Sequence, residues 1–549
     1  MFLQSLRLLF LARRIPARRL TALALAGVLL GPMVMVTDAW AALHEQLAIC
    51  NQAIAMANAV TAYPPGVMAV HFNPAGLTKL RGTQVDMGLH YPDLSFSSRW
   101  EAPPGYTGFL TYRDDPVIGT ESTTSGGAII LPFNGPVSNF LAGPNFGISY
   151  NPPGAAWTAG FAIYAPFAAG FERPDGPGVF GGQFLGQQRL VMGPAIGYKL
   201  TKTLSLGASI GLGTANMGMR MAFRAPHDLV ALTGLLGDIT TGLDDVITLG
   251  LIPFPLFGGG LNPFDSVGVV EASDLQDNFN HSYNLGVLWE PSDWFATGVC
   301  YQSESEVKFA GNYRLDYGKP WQNMMDWLVA NQILEVITRA LGLPTEGGVL
   351  QETGRSSLQW TFPRRVQAGI MVRPVKRLRL TMDVNWINWS TESANVFRFD
   401  QDIQLLQIAR LLGYPYPANT LVFKRNLVDT VHFSYGMEVE LTKWLRMRAG
   451  YEDRPTSIRE HLRDTTFGLP DMKVHSFGLA ADVTRNTTLE FAFAYIKGED
   501  ISMEQNKGQI STNLNSRSLT ALVYNPYSGL DYYQETNAII LSFGMSYRW

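Results

Sequence analysis

The chain has 549 residues, 16% of them charged, with a formal net charge of −4 and a mean hydropathy of +0.03. A string of soluble domains of this length would carry about 25% charge, and a bundle of membrane helices would be far more apolar. The slightly acidic balance excludes nucleic acid as a partner, and two cysteines exclude a disulfide scaffold or a zinc ribbon. Fifty-four glycines with 11% aromatic residues favour strands and tight turns.

The N-terminus comes first. Arg7, Arg13, Arg14, Arg18 and Arg19 precede an uncharged apolar run at 20–36, and Ala39-Trp40-Ala41 follows. A basic region, an apolar region and a small-x-small site describe a secretory signal peptide over residues 1–41. A membrane anchor is the competing reading, because the apolar run is close to spanning length. Export would let Cys50 and Cys300 form one disulfide, or leave both as buried thiols; spacing does not choose.

Beyond Ala41 the longest uncharged apolar stretch, 246–264, is broken by three prolines and a glycine run, so it forms no spanning helix. The apolar surface is carried by alternation instead. Residues 431–439, 443–451, 474–483, 487–496 and 538–547 have strand length and short connections. In 487–496, Leu489, Phe491, Phe493 and Tyr495 share one face, opposite Glu490, Ala492 and Ala494. That pattern predicts an all-β membrane protein, an antiparallel transmembrane β-barrel over residues 81–549. Tight turns near 200–203, 290–294 and 374–377 alternate with long loops at 224–278, 317–354 and 400–427, as periplasmic turns alternate with extracellular loops. A soluble sandwich would need a more highly charged outer face. A lectin-like exported protein would leave unexplained the final strand that ends on Trp549.

Residues 42–80 do not alternate. They are small and apolar and end in His71-Phe72-Asn73-Pro74-Ala75-Gly76-Leu77, just before a strand at 83–98. An Asn-Pro-Ala-Gly-Leu box ahead of a barrel resembles the FadL/TodX-type outer-membrane transporters of long-chain fatty acids and hydrocarbons. The resemblance continues through 143–172, 294–313, 380–390, 444–456 and 474–549. It implies a barrel of about 14 strands, with residues 42–80 folded inside the lumen as a hatch or plug and helical extracellular loops outside. It also implies a monomer among outer-membrane lipid and lipopolysaccharide, placed there by the barrel assembly machinery, with a hydrophobic small molecule as ligand.

The candidate site follows from what such transport requires. Apolar loop residues provide capture: Leu235, Leu236, Ile252, Phe254, Leu256 and Phe257 in one loop, Trp321, Met325 and Leu328 on a helical stretch in the next. Packing of the two loops on each other is an equally open reading. Asn73, Pro74 and Ala75 form a turn through an Asx-type bond and the fixed φ of proline, and the resemblance makes them the hatch motif. Pro166 interrupts a strand-like run and marks a kink, bulge or edge; the resemblance makes Pro166, Phe167 and Ala168 a lateral opening. A fatty-acid carboxylate would need a cation, for which the resemblance points to Arg220, Arg224, Lys424 or Arg425. If none faces inward, a neutral alkane or aromatic hydrocarbon is the better ligand. The eight histidines show no metal spacing, and no nucleophile elbow occurs, so no enzyme, cofactor or metal is expected. A surface adhesin or structural barrel is the rival of another class.

Overall fold

The computed structural model describes residues 49–125, 129–131, 135–137, 143–173, 175–411, 414–460, 463, 469–504 and 525–549. The expected signal peptide, 1–41, lies outside the described residues. No described helix is long and apolar enough to cross a membrane. Among the described residues one antiparallel sheet holds 20 strands. In chain order these are Gly82–Glu101 (β1), Thr120–Ser125 (β2), Gly143–Asn151 (β3), Trp157–Glu172 (β4), Phe184–Lys199 (β5), Leu204–Arg224 (β6) and Ser266–Ser292 (β7). Phe295–Gln302 (β8), Ser305–Tyr317 (β9), Gln351–Phe362 (β10), Arg365–Val375 (β11), Leu378–Ile387 (β12), Ala394–Phe399 (β13) and Thr420–Lys424 (β14) follow. Thr430–Glu440 (β15), Leu445–Arg454 (β16), Met472–Asp482 (β17), Thr487–Gly498 (β18), Ile501–Met503 (β19) and Asp531–Arg548 (β20) complete it.

The sheet closes on itself. β1 pairs with β20 from Gln84 opposite Arg548 to Glu101 opposite Asp531. From β1 the ladder runs through β3, β4, β5, β6, β7, β8, β11, β12, β15, β16, β17 and β18 to β20. This circuit passes through 14 of the 20 hydrogen-bonded segments, and the other six, β2, β9, β10, β13, β14 and β19, pair outside it because single paths up the wall are interrupted. Residues 303–304, 363–364, 388–393 and 425–429 leave the ladder, and β9, β10, β13 and β14 continue beyond them as a collar.

The two faces obey the period of two that a closed wall imposes. Met87, Leu89, Ile148, Ile196, Leu285 and Phe543 point outward and are 39–60% exposed, a band that lipid would cover. Their neighbours Ala492, Ala494 and Ser542 point inward and are buried. On the collar the outward side chains become polar, with Lys308, Arg314, Gln351, Arg355 and Arg398 exposed. The change of residue type marks the outer edge of the apolar band.

The long loops are shorter than expected where strands overrun them. The 224–278 loop ends at Ser266, where β7 starts, and carries a helix, Asp228–Thr240; the 317–354 loop ends at Gln351. The 400–427 loop contains a helix, Gln404–Leu411, and β14. Residues 49–80 form short turns of helix, Asn51–Ala55, Ala69–Phe72 and Pro74–Lys79, packed against the inner wall. Met56, Val60, Val67, Val70 and Phe72 have no exposed surface. Wall glycines make the room. A Cβ on Gly207 would stand 2.1 Å from the Ala75 nitrogen, and one on Gly298 would stand 2.3 Å from the Thr61 carbonyl oxygen. On the other side of the barrel, Gly450 and Gly544 approach Met56 and Asn51 in the same way.

Candidate functional site

Asn73 sits at the centre of the inner segment and is wholly buried. Its Oδ1 accepts from the Ala75 N–H at 3.2 Å, the Asx-type bond expected from sequence. Its Nδ2 donates to the Thr61 carbonyl at 2.9 Å and to the Val287 carbonyl of β7 at 3.0 Å. One side chain thus closes the turn, braces the segment and ties it to the wall. Four wall carboxylates add ties. Asp383 accepts from the Thr61 N–H (2.8 Å) and Asp86 from the Val67 N–H (2.6 Å). Glu452 accepts from Asn58 (3.1 Å) and Glu438 from the Tyr63 hydroxyl (3.3 Å). Sequence reading missed these acids, although a carboxylate in mid-strand of a barrel has to face inward.

Above this segment, towards the collar, lies a cavity of about 70 Å³. His71 of the inner segment lines it with Tyr164, Pro166 and Phe167 of β4 and Arg189 of β5; Ser282, Gln302, Arg365 and Trp389 complete much of the rest. Arg189 is 6% exposed, its Nε donating to Asn280 Oδ1 at 2.7 Å and its guanidinium to Ser282 Oγ at 3.0 Å. Its guanidinium lies 5.6 Å from the Phe362 ring centre. Among the described residues it forms no ion pair with a carboxylate, although it feels Asp277 electrostatically. Burial pushes the His71 imidazole down to about 3, with Arg365 and then Arg189 adding to the effect, so this ring faces the cavity uncharged. A buried cation bonded to neutral groups beside an aromatic wall is suited to an anionic head group.

Pro166 occupies a bulge. Tyr164 pairs with Val191 but Phe167 pairs with Arg189, so β4 spends one more residue than β5 between them. The other edge of β4 is laddered to β3 only as far as Ile163 among the described residues. Phe167 turns inward, 4% exposed, with its ring 4.7 Å from that of Phe362. Ala168 is half-buried. The interrupted strand edge thus stands directly at the Arg189 cavity.

The four basic residues named from sequence do not meet there. Arg220 and Lys424 are exposed, as alternation dictates. Arg224 is buried but already paired, 2.8 and 3.0 Å from the two Asp115 oxygens. Arg425 is buried with its Nε on Asn395 Oδ1 at 2.8 Å. Arg189 and Arg365, which sequence reading passed over, line the cavity instead. The available signal was a lone arginine inside a spanning strand, which lipid would exclude.

The apolar loops pack on each other. Trp327 donates to the Pro253 carbonyl at 2.8 Å, and its ring lies 4.9 Å from that of Phe257. Trp321 and Met325 are buried in this contact; Leu235, Leu236, Phe254, Leu256, Phe257 and Leu328 are half-buried. Ile252 is exposed, beside Val246, Ile247 and Leu249 at 72, 67 and 85% exposed, with Val336 at 66% on the facing loop. Of the loop residues named from sequence only Ile252 is exposed, and the other exposed apolar residues here include Val246, Ile247, Leu249 and Val336.

Two further points bear on chemistry. Cys50 and Cys300 are free and buried. Ser542, His90 and Asn145 form a buried cluster, with Ser542 Oγ 2.6 Å from His90 Nδ1 and Asn145 Nδ2 3.0 Å from His90 Nε2. Asn145 Nδ2 also donates to the Ile49 carbonyl, which ties this wall cluster to the inner segment.

A model of the family described as outer membrane protein transport protein (OMPP1/FadL/TodX) matches residues 33–549. The chain belongs to this family. Its members are transport channels of the outer membrane for hydrophobic compounds. A FadL homologue from Pseudomonas aeruginosa is similar in fold, with 15% identity and a TM-score of 0.63 over 93% of this chain and 100% of that one. The toluene transporter TbuX of Ralstonia pickettii is 15% identical, TM-score 0.55, over 91% and 98%. The toluene transporter TodX of P. putida is 14% identical, TM-score 0.54, over 90% and 97%. No curated protein matches the chain.

Proposed function

We propose that this family member takes up long-chain fatty acids or related amphiphilic carboxylates across the outer membrane. The observation that carries the reading is Arg189, a buried cation with neutral hydrogen-bond partners in a cavity between Pro166 and His71. Capture begins on the exposed apolar surface of the two packed loops. The carboxylate then settles on Arg189, with Arg365 alongside, and apolar burial adds about 0.8 kcal/mol per methylene of tail. Rearrangement of the hatch around Asn73, Pro74 and Ala75 accompanies passage, and the ligand leaves sideways at Pro166, Phe167 and Ala168. The protein works as a monomer in outer-membrane lipid and lipopolysaccharide, without a cofactor.

A second reading, uptake of neutral or aromatic hydrocarbons, is favoured by the named function of TbuX and TodX, both toluene transporters of this fold. Uptake of labelled palmitate and hexadecane by cells lacking the protein and by cells expressing it separates the two. The acid reading expects a large loss of palmitate uptake alone, and loss of hexadecane uptake alone overturns it. Unchanged uptake of both would leave the adhesin or structural rival.

A further inference from the structure

The Arg189 cavity meets the wall at a second place, away from Pro166. β7 is laddered to β8 from Ser292 to Asn284, and to β9 again from Gln276 outward. Between these runs, residues 277–283 face residues 303–309 with no register pairing. Their backbone groups are served otherwise. The Ser303 N–H donates to the Tyr283 carbonyl at 2.9 Å, and Ser303 Oγ accepts from the Tyr283 N–H at 2.9 Å. The Asp277 carboxylate accepts from the Lys308 N–H across the gap at 2.7 Å and from the Phe279 N–H at 2.9 Å. Apart from that one backbone bond at Ser303, side-chain oxygens stand where a ladder would run, as an unladdered stretch of barrel wall requires.

The gap and the cavity are continuous in their lining. Arg189 donates to Asn280 and Ser282, both within the unladdered stretch. Ser282 and Ser303, one on each side of the gap, both line the cavity. On the outside, Phe279 is 70% exposed and Tyr283 45%. The gap also sits where outward residues change from Val299 to Glu304, Glu306 and Lys308, the level at which a membrane-borne amphiphile holds its head group.

We propose that this gap is a second lateral port, through which an amphiphilic carboxylate already dissolved in the outer leaflet reaches Arg189 without first binding the surface loops. The inference rests on reading Arg189 as a carboxylate site. The test uses the full-length protein in phospholipid vesicles preloaded with a hexadecanoic acid that carries a mid-chain diazirine. After irradiation, labelled peptides are mapped. Labelling of 277–283 and 303–309 above that of the lipid-facing positions Leu489 and Phe543 is expected, falling to their level in Ser303→Trp, whose ring fills the gap. Phe279→Asp, a change on the exposed lip, is the second variant and loses the same labelling. Gap labelling no greater than at Leu489 and Phe543, or gap labelling unmoved by both variants, overturns the port. The matching hexadecanol probe keeps the two readings apart. If the alcohol labels Phe362 and Trp389 as strongly as the acid does, the carboxylate reading fails. If the acid alone labels them while the gap stays unlabelled, only the port fails.

Discussion

A single methyl group on Gly286 tests how the inner segment is held. The Cβ of Gly286→Ala would stand 2.1 Å from Asn73 Oδ1 and 2.9 Å from Pro74 Cδ. To reach ordinary contact Asn73 has to retreat by roughly 1.4 Å, since non-bonded atoms meet at about 3.5 Å. Its bonds to the Thr61 and Val287 carbonyls, now 2.9 and 3.0 Å, cannot survive that displacement. Two lost hydrogen bonds at about 0.5–1.5 kcal/mol each, with a buried amide left unpaired, cost about 2–4 kcal/mol of docking. At 1.4 kcal/mol per decade this raises the undocked population about 30- to 700-fold. The native thiols report it. Cys50 lies on the segment and Cys300 lies opposite Gly286 in the ladder, both buried. Their alkylation in the detergent-solubilised barrel should accelerate by the same factor, because exposure follows the open population. A rate within about threefold of the parent's, in a barrel that still closes, would refute the docking role assigned to Asn73.

Three other outcomes follow from the same geometry. Arg224→Met strands the buried Asp115 carboxylate and should cost about 3–5 kcal/mol in thermal or denaturant unfolding, yet leave ligand affinity unchanged, since this pair lies outside the cavity lining. Pro166→Val restores an N–H at the bulge and should slow transfer of bound ligand into the bilayer without weakening its binding, read by stopped-flow release into vesicles. Glu392, in the connection between β12 and β13, has its carboxyl raised by burial to about 7. The folded protein therefore keeps a proton that the unfolded chain releases near 4.5, so stability is greatest below that value and declines as pH rises towards 7. Glu392→Gln should flatten that decline, a difference of about 3 kcal/mol at most, in unfolding measured from pH 4 to 8.

The barrel was legible because alternation is a local property. Leu489, Phe493 and Tyr495 were placed on one face without knowing any partner strand, and the ladder keeps them there. Strand number was not legible, because interruptions such as Ser303-Glu304 and Pro363-Arg364 are set by neighbouring strands. Pro166 and Asn73 announced themselves through backbone chemistry that belongs to the residue alone. Arg189 did not. Counting along β5 sets it on the inner face with Val191, Gly193 and Gly197, but its partners Asn280 and Ser282 lie about 90 residues away, and nothing local names them. Arg224 misled for the matching reason, since nothing local tells that Asp115 neutralises it. Among the loop residues named from sequence, Trp321 and Met325 are buried, and their period along the helix fits core packing as well as it fits an exposed face.

The most direct test of the account compares binding of hexadecanoic acid and hexadecanol by the purified protein and its Arg189→Met variant. A charge-assisted contact is worth about 1.5–3 kcal/mol, so the variant should bind the acid about 10- to 150-fold more weakly and the alcohol almost unchanged. Equal losses for both ligands, or none for the acid, would contradict the assignment of Arg189 as the group that receives the carboxylate.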